Sequence, residues 1–174
     1  RIWIRVGKQD ANGDFAGVEY GVQFVNSSAG FSPTIPLASY PDQDLGVVLG
    51  TAPTPWFSVN MGVYNGNPDG GRSLKGAFVG LSGPMIIIEP ALHYGAGGRR
   101  GHLRVGGWFN GTDPEAPDED DPDPETFGEA YGWYLTWDQE IWHEHPEDIE
   151  DGQGIGIFGQ YGWAPADRSL AEHY

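Results

Sequence analysis

Between Met85 and Asn110 the chain MIIIEPALHYGAGGRRGHLRVGGWFN alternates apolar and polar positions in period two. From His102 onward Leu103, Val105 and Phe109 share one face, and His102, Arg104, Trp108 and Asn110 share the other. Before it, Ile86, Ile88, Leu92 and Tyr94 stand opposite Glu89, Ala91 and His93. The connector 95–101 is glycine-rich and able to take the positive φ values of a tight reversal. This pattern predicts a β-hairpin whose strands, about nine residues each, have one greasy and one polar or aromatic face. Pro90 removes a ladder donor inside the first strand, which predicts a bulge or local break there.

The same alternation recurs along the chain. Arg1–Lys8 sets Ile2, Ile4 and Val6 against Arg1, Trp3 and Arg5. Leu45–Leu49 reads as a short strand that TAPTP turns into Trp56–Tyr64. There Phe57, Val59, Met61 and Val63 oppose Trp56, Ser58, Asn60, Gly62 and Tyr64. Tyr131–Glu140 sets Tyr131, Trp133, Leu135 and Trp137 against Tyr134, Thr136, Asp138 and Glu140. Gln153–Trp163 sets Ile155, Ile157 and Tyr161 against Phe158 and Gln160, and the chain then stops without a closing element. The interval 9–42 has weak periodicity, with a short helix suggested at Val18–Phe24 and extended, turn-rich chain at SPTIPLASYPD. A connector that long is uncommon unless it is functional. NGNPDGGR reads as a loop, and Gly76–Pro84 is ambiguous.

Alternating strands of this kind fit two architectures. In a soluble sandwich the greasy faces make the core. In a transmembrane barrel they meet lipid, with strands of ~9–11 residues and a polar lumen. Connector lengths favour the barrel, because short connectors at 51–55 and 95–101 alternate with long ones at 9–42, 65–84 and 111–129, with a medium one at 141–152. Outer-membrane barrels have short periplasmic turns and long outer loops. Phe57, Tyr94, Phe109, Tyr131, Trp137 and Tyr161 also sit near strand ends, as an interfacial girdle requires. The rival is a soluble β-sandwich, either a glycan-binding protein or a glycoside hydrolase using carboxylates from Glu89, Glu129, Asp138 or Glu140. A hydrolase needs two carboxyls ~5–10 Å apart, and the sequence identifies no such facing pair.

Composition sharpens this picture. The 174 residues fit one domain, with 28 glycines, 23 aromatics and no cysteine. Disulfides, thiolate metal sites and cysteine nucleophiles are thereby excluded. The longest greasy run, Met85–Ile88, is far short of the ~18 residues of a membrane helix. The chain opens at Arg1, which reads as a mature product or a fragment. Its net charge of −16 is local: Asp113–Glu125 holds eight acids and Glu144–Asp151 five, neither with an arginine or lysine. The remaining 12 acids face 9 bases, so the body is nearly neutral. No basic cluster suggests nucleic acid.

VGKQDANGDFAG, FVNSSAGFSP, LASYPD, VNMGVYNGNPDG, HLRVGGWFN, YGWYLTWDQ and QGIGIFGQYGWAPADR occur in this order. Together they resemble the carbohydrate-selective porins (OprB type) of Gram-negative outer membranes, over nearly the whole chain. RVGGWFN and GIFGQYGWAPADR are the most specific blocks. The resemblance implies an all-β, antiparallel transmembrane β-barrel of sixteen strands that passes monosaccharides, glucose the best known, by diffusion. About seven strands are present, so residues 1–174 read as a fragment of such a barrel. The segment 9–42 is the best candidate for an inward-folded constriction loop, with a surface cover as the plainer reading, and 111–129 reads as an acidic extracellular loop. The family tends to carry arginine where this chain has Gln160, which keeps a donor and loses a charge.

No enzyme, cofactor or metal is expected. His143 and His145 beside Glu144 alternate on a connector and make a poor preformed metal site. Small sugars, outer-membrane lipid and lipopolysaccharide are the expected partners. Asp113–Glu125 is first of all a solvated loop, with cation bridges to lipopolysaccharide phosphates as a second reading. Pore-lining candidates on the polar faces are Arg5, Asn60, Glu89, His93, His102, Arg104, Asn110, Tyr134, Asp138 and Gln160. Trp3, Trp56 and Trp108 share those faces and offer flat surfaces to a pyranose ring. The plainer role for each is barrel filling, with arginine and aspartate paired across the lumen or indoles packed under a loop.

Overall fold

The computed structural model describes residues 1–21, 34–37, 43–66, 83–96, 99–112, 129–145, 153–168 and 172–174. Its strands are β1 Ile2–Gln9, β2 Asp44–Thr54, β3 Phe57–Asn65, β4 Pro84–Ala96, β5 Arg99–Asn110, β6 Ala130–His143 and β7 Gly154–Trp163. They form one seven-stranded sheet in chain order. Every neighbouring pair is antiparallel.

The central hairpin is longer than its alternation suggests. Pairing continues through Gly95↔Arg100 to Ala96↔Arg99, giving strands of 13 and 12 residues. Pro90 makes no bulge: Ile88↔Gly107 and Ala91↔Arg104 keep one register, and Val59↔Pro90 continues the ladder on the other side. A missing N–H removes one bond, and the flanking pairs hold the alignment. β2 likewise runs through the expected TAPTP turn. A register shift between Thr51 and Thr54 absorbs Pro53, since proline is tolerated where a bulge frees it from donating.

The expected short helix at Val18–Phe24 is described only as far as Gly21. Glu19 and Tyr20 form a turn, with Gly21 N donating to Val18 O at 3.2 Å, and residues 22–24 lie outside those described. A 3-10 turn, Ala11–Gly13, comes earlier, opened by Asp10, whose carboxylate accepts from Asn12 N at 2.9 Å. NGNPDGGR beyond Gly66, most of Gly76–Pro84, the tract 113–125 and residues 146–152 also lie outside the described residues. Residues 172–174 pair with the edge of β7. Gly162 and Tyr174 exchange backbone hydrogen bonds at 3.0 and 3.1 Å.

The two faces of the sheet differ sharply. Ile4, Val47, Leu49, Met61, Val63, Ile86, Ile88, Val105, Phe109, Tyr131, Trp133, Ile157 and Tyr161 are all exposed on one side. They neighbour one another across the ladders, as in Leu49↔Met61, Met61↔Ile88 and Ile86↔Phe109. So broad an exposed apolar surface belongs against lipid. The opposite face carries the buried cluster. Phe15, Ile35 and Leu37 from the segment between β1 and β2 join Val48, Tyr64, Met85, Ile87, Trp108 and Tyr134. This explains why Met85–Ile88 is greasy throughout: Ile86 and Ile88 are exposed on the outer side, while Met85 and Ile87 belong to the buried cluster with Phe15, Ile35 and Leu37. Phe15 meets Tyr64 edge-on at 6.3 Å, and its full burial contributes about 1.5–3 kcal/mol.

Candidate functional site

The inner face is built in rungs that run across the strands. One rung reads Trp3↔Gly50, Gly50↔Asn60 and Asn60↔Glu89. The register of β4 and β5 places Gly106 opposite Glu89, and Gly106↔Tyr134 completes the row. Alternation puts these side chains on one side because a period-two strand sends every second residue inward. The glycines make room for their aromatic neighbours. The Trp3 ring covers Gly50, that of Tyr134 covers Gly106, and that of Trp108 covers Gly132.

The inward segment crosses this rung. Asn60 Nδ2 donates to Asp14 O at 3.2 Å, and Ala16 N donates to Glu89 Oε2 at 2.8 Å. Thr136 Oγ1 donates to Gly17 O at 3.2 Å. Arg5 forms an ion pair with Asp14 and also lies 5.3 Å from the Trp3 ring centroid. Burial pushes the Asp14 carboxyl above the usual carboxylate range, and Arg5 pulls it back down. Burial likewise raises Tyr20, with Glu140 adding to the effect.

Further along the face lies a charged network. His102 Nδ1 donates to Asp138 Oδ1 at 2.6 Å, and Arg104 donates to Asp138 Oδ2 at 2.7 Å. Glu19 of the segment approaches His102 Nδ1 at 3.4 Å. His93 packs edge-on against His102 at 5.2 Å and shares a 2.7 Å hydrogen bond with Ser58. Ligand atoms of Glu19, His102 and Asp138 lie within 4.8 Å of one another. They hydrogen-bond or pair among themselves, with the Arg104 guanidinium on the second Asp138 oxygen, so the group reads as an ion network.

The structure therefore sorts the sequence candidates. Trp3, Arg5, Asn60, His93, His102 and Arg104 line the inner face and are half-buried or exposed. Glu89 at 4%, Tyr134 at 1% and Asp138 at 0% exposure are inward but covered. Trp108 is only 4% exposed and offers no stacking surface. Asn110 is buried near the strand end, donating to Gly66 O at 3.1 Å and accepting from Thr112 N at 3.0 Å. Gln160 donates to the Tyr174 hydroxyl at 3.2 Å. Trp56 is a correction: it stands in the turn between β2 and β3, 59% exposed, because β3 begins only at Phe57. Sequence reasoning missed Asp14, Ala16, Glu19 and Ser58. Asp14, Ala16 and Glu19 lie in an interval without periodicity, and Ser58 looked like an ordinary small residue on the polar face.

An apolar outer band, a polar inner face and a segment folded against that face define the wall of a membrane β-barrel channel. The family model for carbohydrate-selective porins of the OprB family matches residues 1–174, and the chain belongs to that family. It is a family of channels and not of enzymes. No curated protein matches the chain. The fold is similar to the high-pH structure of Pseudomonas putida OprB, with a TM-score of 0.77 and 16% identity. That likeness covers 99% of this chain and 44% of the other, so the chain spans less than half the length of that porin.

Proposed function

We propose that this chain supplies wall and narrowing segment to an outer-membrane channel through which monosaccharides such as glucose diffuse passively. The observation that carries the reading is one face bearing Trp3, Arg5, Asn60, His93, His102 and Arg104, of which Arg5, Asn60 and His102 meet the inward segment, behind an exposed apolar band. A sugar crossing a membrane must exchange its hydration for other hydrogen bonds. Half-buried guanidinium, amide and imidazole groups supply them, and an indole face suits the C–H side of a pyranose. None of these groups forms a deep site, which suits conduction: binding must favour entry and still permit exit. The segment within 9–42 acts as the constriction, and the outer band contacts outer-membrane lipid and lipopolysaccharide. Swelling of liposomes carrying the full-length protein tests this. Glucose should enter faster than an amino acid of similar size and much faster than a trisaccharide; equal rates for all three would refute sugar selectivity.

A further inference from the structure

Glu89 stands on the inner face of β4 between Ile87 and Ala91, two buried apolar neighbours. A carboxylate there is costly unless hydrogen-bonded. Its Oε2 accepts from the Tyr134 hydroxyl at 2.6 Å and from Ala16 N at 2.8 Å. Ala16 N is also 3.3 Å from the Tyr134 oxygen, so the three groups close a triangle. Tyr134 belongs to β6 and reaches β4 by lying over Gly106 of the intervening β5.

The third corner of the triangle is unusual. Ala16 has φ of 55°, a left-handed conformation in a residue other than glycine. Such a conformation persists only where the surroundings over-determine it. Here they do so through its own N–H, held at the wall while Phe15 beside it is fully buried. Alternation alone makes Glu89 a sugar-facing carboxylate, whereas the structure turns it onto the backbone of the inward segment.

We infer that Glu89 is the positioning residue that clamps the inward segment to the barrel wall and so sets the width of the passage. The inference rests on the reading of that passage as a sugar path. Asn60, Thr136 and the Arg5–Asp14 pair hold neighbouring points of the segment. Glu89 holds Ala16, the one residue other than glycine with a positive φ among the described residues.

Unitary conductance of the full-length protein in planar bilayers tests the clamp. Glu89→Ala should raise ion conductance above the spread of parental channels and lose part of the block by glucose. Glu89→Gln keeps an acceptor oxygen for both donors and should restore parental conductance. A residue with only a structural role would lower the yield of folded channels and leave each channel's conductance alone. Parental conductance in Glu89→Ala, or equal widening in Glu89→Gln, would overturn the inference. Should Glu89→Ala not assemble, Tyr134→Phe carries the test, since it removes one donor and keeps the ring over Gly106. It too should widen the channel, and unchanged conductance would overturn the clamp. Because ion conductance reads width directly, it decides the clamp even if glucose fails to block the parent, a result that counts against the sugar path alone.

Discussion

Tyr134 lies directly over Gly106 on the neighbouring strand. A β-carbon at Gly106 would stand 2.0 Å from the ring's Cζ, whereas one at Gly107 meets nothing within 4 Å. Two adjacent glycines therefore do different things. Gly106 faces inward and makes the Tyr134 crossing possible, while Gly107 faces outward. Gly106→Ala should destabilise the barrel by about 1–3 kcal/mol, the range for overpacking. Gly107→Ala should be neutral or stabilise by up to about 1 kcal/mol, because alanine restricts the unfolded chain. Urea unfolding in lipid vesicles measures both, and equal losses at the two positions would contradict the facing assignment.

The neighbouring pair Arg104 and Val105 tests the same assignment with charge. Val105 is exposed on the lipid side, and Arg104 is bound to Asp138 on the inner side. Val105→Arg should cost about 2–4 kcal/mol at the middle of the lipid band and impair assembly into outer membranes. Arg104→Gln keeps a donor for Asp138 and should assemble normally. Heat-modifiable mobility of membrane-extracted protein reads both outcomes.

Trp108 illustrates how alternation gives side but not cover. Its position is inward, as the period predicts, yet the ring packs on Gly132 and is almost wholly buried. Trp108→Ala should lower stability by about 3–5 kcal/mol, as for other buried large-to-small changes, and leave glucose block of the ion current unchanged. A weaker block at unaltered stability would return the indole to the passage.

Strand positions and facing were legible because lipid on one side imposes an unbroken period of two, as in Phe57–Val63 and Leu103–Phe109. The apolar inner patch was not, because Met85 and Ile87 are buried in a cluster with Phe15, Ile35 and Leu37, which lie far off in sequence. Glu89 and Ala16 are 73 residues apart, and no local pattern links them. Pro90 and Pro53 misled for a local reason, since a proline signals a lost donor without saying whether the neighbouring ladder absorbs it. Trp56 misled because the hairpin turn includes it, one residue before the pleat begins.

The central claim is that the face bearing His93 and His102 lines a sugar passage while the face bearing Val105 meets lipid. These 174 residues hold no cysteine, and the test uses the full-length protein with any cysteine elsewhere replaced by serine before single cysteines are introduced. The decisive measurement is the rate at which a charged, membrane-impermeant thiol reagent modifies His93→Cys in single channels, with and without glucose in the bath. Modification should step the ion current down, glucose should slow it, and Val105→Cys should show no current change. Modification of His93→Cys that leaves the current untouched, or a rate indifferent to glucose, would contradict the account.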